Sequence, residues 1–204
     1  SLTGTDASSL SISSSGVITF DSAPDYETKT SYAVTVNVSD GTNSVTQALT
    51  INVTNVNEYS PVISSLSSSI TVAENQTAVV TVSATDGDTS ETLSYSLTGT
   101  DASALSINSS SGVITFDSAP DYETKTSYSV TVSVSDGTNI TSQALTVNIT
   151  NVNDNTPVIT SLASFSAAEN QTAIGTTSAS DADGNTLTYT LTGNDSTSIS
   201  INAS

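Results

Sequence analysis

The sequence predicts an all-β protein built of tandem seven-stranded Greek-key β-sandwiches, stacked end to end. Three observations carry this. Residues 16–61 align without a gap on 112–157, with 36 of 46 positions identical at an offset of 96. Within the repeat, apolar residues alternate with Ser and Thr at period 2, in runs broken by Gly, Asn, Asp and Pro. Those runs number seven in about 95 residues, the strand count and spacing of a sandwich.

The repeat sets the domain organisation. SLTGTDAS at 1–8 recurs at 96–103 and, more loosely, as TLTGNDST at 190–197, while AENQTA at 73–78 returns at 168–173. Residues 60–155 are expected to form one complete unit, 1–59 the back part of a unit before it, and 156–204 the front part of a unit after it. Neither partial unit carries every strand of a closed core. Neighbouring repeats, or further copies placed head to tail as a filament, are the expected means of completing them.

In the complete unit the first strand is expected over 62–64, continuing to 70–72, where Val62, Ile63, Ile70 and Val72 bracket a serine-rich stretch. The second, 78–84, follows the turn at Glu74 with Val79, Val80 and Val82. The third, 93–97, alternates Leu93, Tyr95 and Leu97, and the fourth, 105–107, places Leu105 and Ile107 on one face. The fifth, 113–116, starts after Gly112. In the sixth, 128–135, Tyr128, Val130, Val132 and Val134 share a face, leaving Ser129, Thr131, Ser133 and Ser135 toward water. The seventh, 140–150, follows an Asp-Gly turn at 136–137. Outward Ser and Thr keep strand propensity without making the exterior apolar.

Composition excludes much chemistry. The 204 residues include no Cys, His, Met or Trp, and 2 basic residues stand against 20 acidic ones for a net charge of -18. An imidazole base, a thiolate nucleophile, a zinc finger and a disulfide framework are therefore all ruled out. The charge disfavours nucleic acid and anionic membrane surfaces and makes cations the natural counterpart. No apolar run approaches a membrane span, so no membrane insertion is expected in this segment. Paired carboxylates could in principle serve glycoside hydrolysis, but 3 Phe, 7 Tyr and no Trp do not furnish an aromatic-lined sugar cleft. The chain is read as a non-enzyme. Scarce Lys and Arg with abundant Ser, Thr, Asn and Asp is a composition associated with large secreted bacterial surface proteins.

The acids recur in motifs: AEN at 73–75, DGD at 86–88, DYE at 121–123, SDG at 135–137 and the linker NVNDNTP at 151–157. In this order the motifs resemble those of cadherin repeats, especially the cadherin-like tandem repeats of bacterial adhesins, and the resemblance covers the whole chain. It implies a cadherin-like, Ig-like sandwich with calcium bound between repeats. Antiparallel topology sorts the motifs to the two ends of a unit. One junction then collects Asp25, Glu27, Asn55, Asn57 and Glu58 against Asp86, Asp88 and Asp136. The other collects Glu74, Asp121, Glu123, Asn151, Asn153, Asp154 and Asn155 against Asp181 and Asp183, while Asp40 and Glu169 carry the same motifs at the outer ends. Six carboxylates at a junction repel unless paired. Calcium, with 6 to 8 oxygen ligands, is the cation suited to them, and the resemblance implies three ions per junction.

The linkers depart from the family's DxNDN. Asn55 and Asn151 replace the leading Asp, Glu58 replaces the second Asp in the first linker, and Tyr59 stands where the second linker has Asn155. Weaker calcium binding, or two ions in place of three, is the consequence expected, above all at the first junction. The function expected is a calcium-binding structural or adhesive repeat array, extracellular and at the cell surface, in which Ca²⁺ stiffens a rod or filament. The alternatives are a module that binds a cell-surface carbohydrate or protein ligand, and an accessory domain of a larger secreted enzyme. Near-identity of the repeats favours the array, since a dedicated binding site would distinguish one unit from its neighbour.

Overall fold

Alternation of Val, Leu and Ile with Ser and Thr yields strands along the whole repeat, and the computed structural model describes them over residues 1–89 and 91–202. The first segment contains β1 (Leu2–Thr3), β2 (Leu10–Ile12), β3 (Ile18–Phe20), β4 (Ser31–Ser39) and β5 (Ser44–Asn52). The central segment contains β6 (Val62–Ile63), β7 (Ser69–Ala73), β8 (Ala78–Thr81), β9 (Ala84–Thr85), β10 (Ser94–Thr98), β11 (Leu105–Ile107), β12 (Val113–Phe116), β13 (Ser127–Ser135) and β14 (Ile140–Thr150). Two short strands follow, β15 (Val158–Ile159) and β16 (Ala179–Ser180).

Each strand expected in the central unit is present, and two of them divide. The expected strand at 78–84 becomes β8, paired with β12, and β9, paired with β6. The break falls where Val82 donates its N–H to Gly112 O at 2.9 Å and Ser83 donates to Ser65 Oγ at 2.9 Å, so the chain crosses between sheets there. The strand at 62–72 divides likewise, because β6 pairs with β9 whereas β7 runs parallel to β14. The resulting sheets have the orders β10-β13-β14-β7 and β11-β12-β8, with β6-β9 beside them.

The core lies between these sheets. Val82, Leu105, Ile114, Phe116, Val130, Val132, Leu145, Val147 and Ile149 form one buried cluster. In β13 the face carrying Val130, Val132 and Val134 is buried and the serine face is not, as the period-2 pattern requires. Burying each such side chain contributes roughly 1.5–3 kcal/mol. Phe116 meets Tyr128 edge to face at 4.9 Å between centroids, and Lys125 sits 4.7 Å above the Tyr128 ring while pairing with Asp101. The first segment repeats this arrangement with Phe20, Tyr32, Lys29 and Asp6. These ion pairs were not legible from motifs, since Asp6 and Asp101 lie in none. The available signal was that the two Lys residues of the chain occupy the same repeat position, each 23 or 24 residues after its Asp.

Sequence equivalence does not bring equal burial. Val38 is 62% exposed whereas its counterpart Val134 is 0% exposed, and Val45 is 68% exposed. In the central unit the segment holding β6 and β7 lies along β14, with Gln143 Nε2 donating to Leu66 O at 2.7 Å. No described segment covers β5 in that way. Ile159 and Leu162 are exposed in the last segment.

Candidate metal centres

The linker at 53–61 leaves β5 and enters β6 past the DGD turn. Asp88, 2% exposed, accepts the N–H of Glu58 at 3.1 Å and of Tyr59 at 2.9 Å through Oδ2, and donates its own N–H to Asp86 Oδ1 at 2.9 Å. Asn139 closes the other side by donating to Asn57 Oδ1 and Tyr59 O, each at 2.7 Å, and to Asp136 Oδ2 at 3.1 Å. Burial raises the Asp136 carboxyl, yet hydrogen bonds from Asn139, Thr138 and Asn57 outweigh it and hold the group below its ordinary value. Across the linker, Asp25, Glu27 and Glu58 bring carboxylate oxygens within 4.8 Å of one another. The Thr28 hydroxyl, with the Thr28 and Glu27 N–H groups, lowers Asp25. Asn55 is half-buried in the same linker.

The second linker assembles a larger set. Glu74, 3% exposed, accepts the N–H of Tyr122 and of Val152, each at 2.7 Å, one on each carboxylate oxygen. The preceding β7 pairs with β14 up to Ala73, which delivers Glu74 to the point where β14 ends and the linker begins. Glu74, Glu123, Asp154 and Asp183 then place carboxylate oxygens within 4.8 Å of one another. Asn155 threads this set, with its N–H on Asp183 Oδ2 at 2.8 Å and its amide on Asp154 Oδ1 at 2.9 Å, Asp183 Oδ1 at 3.1 Å and Glu123 Oε2 at 3.3 Å. Asn151 donates to Asp183 O at 2.9 Å. Burial and the neighbouring Glu74, Asp183 and Asp121 push the Glu123 carboxyl up. Asp183 is held down, its burial outweighed by the side-chain and backbone donors of Asn155.

The structure thus gathers most of the sequence-derived residues, though unequally. Asp121 caps its own turn, accepting Thr124 N at 3.2 Å and Thr124 Oγ1 at 2.9 Å, and stands outside the four-carboxylate group. Asn153 and Asp181 line one cavity of about 390 Å³. Asp40 accepts Thr42 N at 2.9 Å and Asn43 N at 2.6 Å in its hairpin, and neither it nor exposed Glu169 joins a group of acids. Two contributors were missed. Asn75, in a left-handed backbone conformation at φ 64°, donates to Asp154 Oδ2 at 2.5 Å, and Asn139 ties the first linker. Both are signalled by recurrence, as Asn170 and Asn43 in the flanking segments.

Several carboxylate oxygens are buried with no hydrogen-bond donor: Glu27 Oε1, Asp86 Oδ2, Asp88 Oδ1 and Asp181 Oδ1. An unsatisfied buried oxygen on a charged group is costly. An oxygen-only donor set with such free oxygens fits a hard cation such as Ca²⁺, and no sulfur or imidazole ligand is present to favour a softer metal.

Among the described residues no helix is long and apolar enough to cross a membrane. The cadherin domain model matches residues 68–150. Mouse Protocadherin Fat 4 is 32% identical over 186 residues, 84% of this chain, and the Drosophila melanogaster protocadherin-like wing polarity protein stan is 33% identical over 161 residues, 72% of this chain. The chain spans 4% of the length of each. These relatives are animal proteins and lend no support to a bacterial source. Among solved structures, the protocadherin gammaB7 EC3-6 cis-dimer aligns with a TM-score of 0.68 at 28% identity, covering 89% of this chain and 50% of that one. Human CDH23 EC21-23 shares the fold, with a TM-score of 0.74 at 21% identity over 88% of this chain and 63% of that one. Residues 68–150 thus match the cadherin domain family, and the chain has the fold of cadherin extracellular domains in tandem.

Proposed function

We propose that this segment is a calcium-binding repeat array, in which Ca²⁺ held between units stiffens an extracellular rod or filament. The observation that supports it most is the group Glu74, Glu123, Asp154 and Asp183, which draws carboxylate oxygens from two units and their linker to within 4.8 Å of one another. Buried, undonated oxygens on Glu27, Asp86, Asp88 and Asp181 near the two linkers support it further. Units are taken as 1–59, 60–155 and 156–204. At the first junction Asp25, Glu27, Asn55, Asn57, Glu58, Asp86, Asp88 and Asp136 would hold calcium. At the second, Glu74, Asp121, Glu123, Asn151, Asn153, Asp154, Asn155, Asp181 and Asp183 would do so, with Asp40 and Glu169 serving junctions to further units. Bound calcium supplies positive charge that cancels the repulsion between these carboxylates. The uncovered face of β4 and β5 accepts the front part of a neighbouring repeat, on the same chain or as residues 156–204 of another copy. Sedimentation velocity at rising concentration tests the second route, which a single non-associating species excludes. Scarce Lys and Arg with abundant Ser, Thr, Asn and Asp accords with a surface protein of bacterial type located at the cell exterior.

Calorimetry tests the residue assignment. Asp154→Ala should weaken calcium binding more than Asp117→Ala, because an Asp154 carboxylate oxygen lies within 4.8 Å of three other carboxylates, whereas Asp117 joins no group of acids among the described residues and accepts the Ser106 hydroxyl at 2.5 Å. Equal affinities would refute it.

A further inference from the structure

The two junctions differ at one matched pair of positions. In the first linker the ring of Tyr59 lies against Gly87, the middle residue of the DGD turn. A methyl group on Gly87 would come within 2.5 Å of Tyr59 Cγ and 2.8 Å of both Cδ atoms, a separation that real Cβ atoms do not show. Gly87 is absent from the positive-φ glycines. Its backbone therefore accepts any residue, and the ring alone demands glycine. At the second junction the equivalent pair is Asn155 and Ala182. A large ring meets a residue without Cβ in one junction, and a small amide accompanies a methyl in the other.

The surroundings of Tyr59 complete the picture. Its N–H is held by Asp88 Oδ2 and its carbonyl by the Asn139 amide, so the residue is pinned to the central unit on both sides of Cα. The body of the ring rests on Gly87. Asn155, by contrast, makes its contacts through hydrogen bonds to three of the four clustered carboxylates, Glu123, Asp154 and Asp183.

We infer that Tyr59 and Gly87 form a metal-independent clamp that restricts the first linker, whereas the second linker, built with Asn155 and Ala182, has no such clamp and depends on a cation for its order. The packing of an aromatic face on a glycine is apolar and survives chelation. The contacts of Asn155 sit among charges that a cation must offset. The clamp rests only on the Tyr59 and Gly87 geometry, and the cation dependence of the second linker rests on the calcium reading above.

Because the chain contains no cysteine, introduced ones can be spin-labelled uniquely. Ser31→Cys with Ser96→Cys spans the first junction, and Ser127→Cys with Thr190→Cys spans the second, all at exposed positions. In EDTA, pulsed dipolar spectroscopy should give a distance distribution at least twofold narrower across the first junction than across the second. Tyr59→Asn should remove that difference, as should Gly87→Ala, whose methyl displaces the ring. Grafting the pair, with Asn155→Tyr and Ala182→Gly, should narrow the second junction in EDTA. Circular dichroism confirms that each variant keeps its strands. Equal widths in EDTA, or an unchanged first junction in Tyr59→Asn, overturn the clamp. Failure of the calcium reading is separate: it would appear as no calorimetric binding and no narrowing of the second junction when calcium is added.

Discussion

Asp88 separates the structural role of a junction acid from its role toward a metal, because its two oxygens are used differently. Oδ2 accepts two linker N–H groups, from Glu58 at 3.1 Å and Tyr59 at 2.9 Å, while Oδ1 is buried and undonated. In Asp88→Asn the amide oxygen can keep both linker bonds while the NH₂ group replaces the undonated oxygen. Without metal, stability should then shift by no more than about 0.5 kcal/mol, since no contact is lost and a buried charge is removed. Calcium affinity, however, should fall at least about tenfold, or about 1.4 kcal/mol, as a ligand and a charge are lost together. Asp88→Ala differs in the opposite sense. It strands two linker N–H groups at roughly 1–3 kcal/mol each, so it should destabilise the metal-free protein by about 2–6 kcal/mol. Urea unfolding in EDTA reads the first quantity and calorimetry of each variant with calcium reads the second. An Asn variant with undiminished calcium affinity would refute the assignment of Oδ1 to the metal.

Chelation should let the units swing, so small-angle scattering with and without EDTA should show a changed maximum dimension, and an unchanged one would argue against calcium as the stiffening agent. Val134→Ala should cost roughly 2 kcal/mol in urea unfolding, whereas the sequence-equivalent Val38→Ala should cost under about 0.5 kcal/mol, because Val134 is fully buried and Val38 is 62% exposed. The Asp101 carboxyl is held below its ordinary 3.8, first by the hydrogen bond from Lys125 and then by the Ser129 N–H. A depressed carboxyl contributes stability that is fully present above its unfolded value and is lost as pH falls through its folded one. Asp101→Asn should therefore flatten the acid limb of a melting-temperature profile below about pH 4 and leave its shape above that unchanged.

The strands were legible because their signal is local. Period-2 alternation in 128–135 determines which face is buried whatever the partner is, and Asp-Gly at 136–137 determines where the chain turns back. The motif order likewise led to the expectation that acids gather at unit ends, since antiparallel strands alternate direction. Pairing between distant segments was not legible. The crossing at Val82 and Ser83, which splits one expected strand between two sheets, depends on Gly112 and Ser65 being close in space, and nothing at 78–84 marks that. The site divides in the same way. Residue type and recurrence selected Glu74, Asp88, Asp154 and Asp183, whereas only the folded chain decided that Asp121 caps a turn outside the four-carboxylate group, that Asn75 and Asn139 tie the linkers, and which carboxylate oxygens remain undonated. Val38 and Val134 occupy one position in the repeat and have opposite exposures, because burial belongs to the segments that cover a face and those lie elsewhere in the sequence.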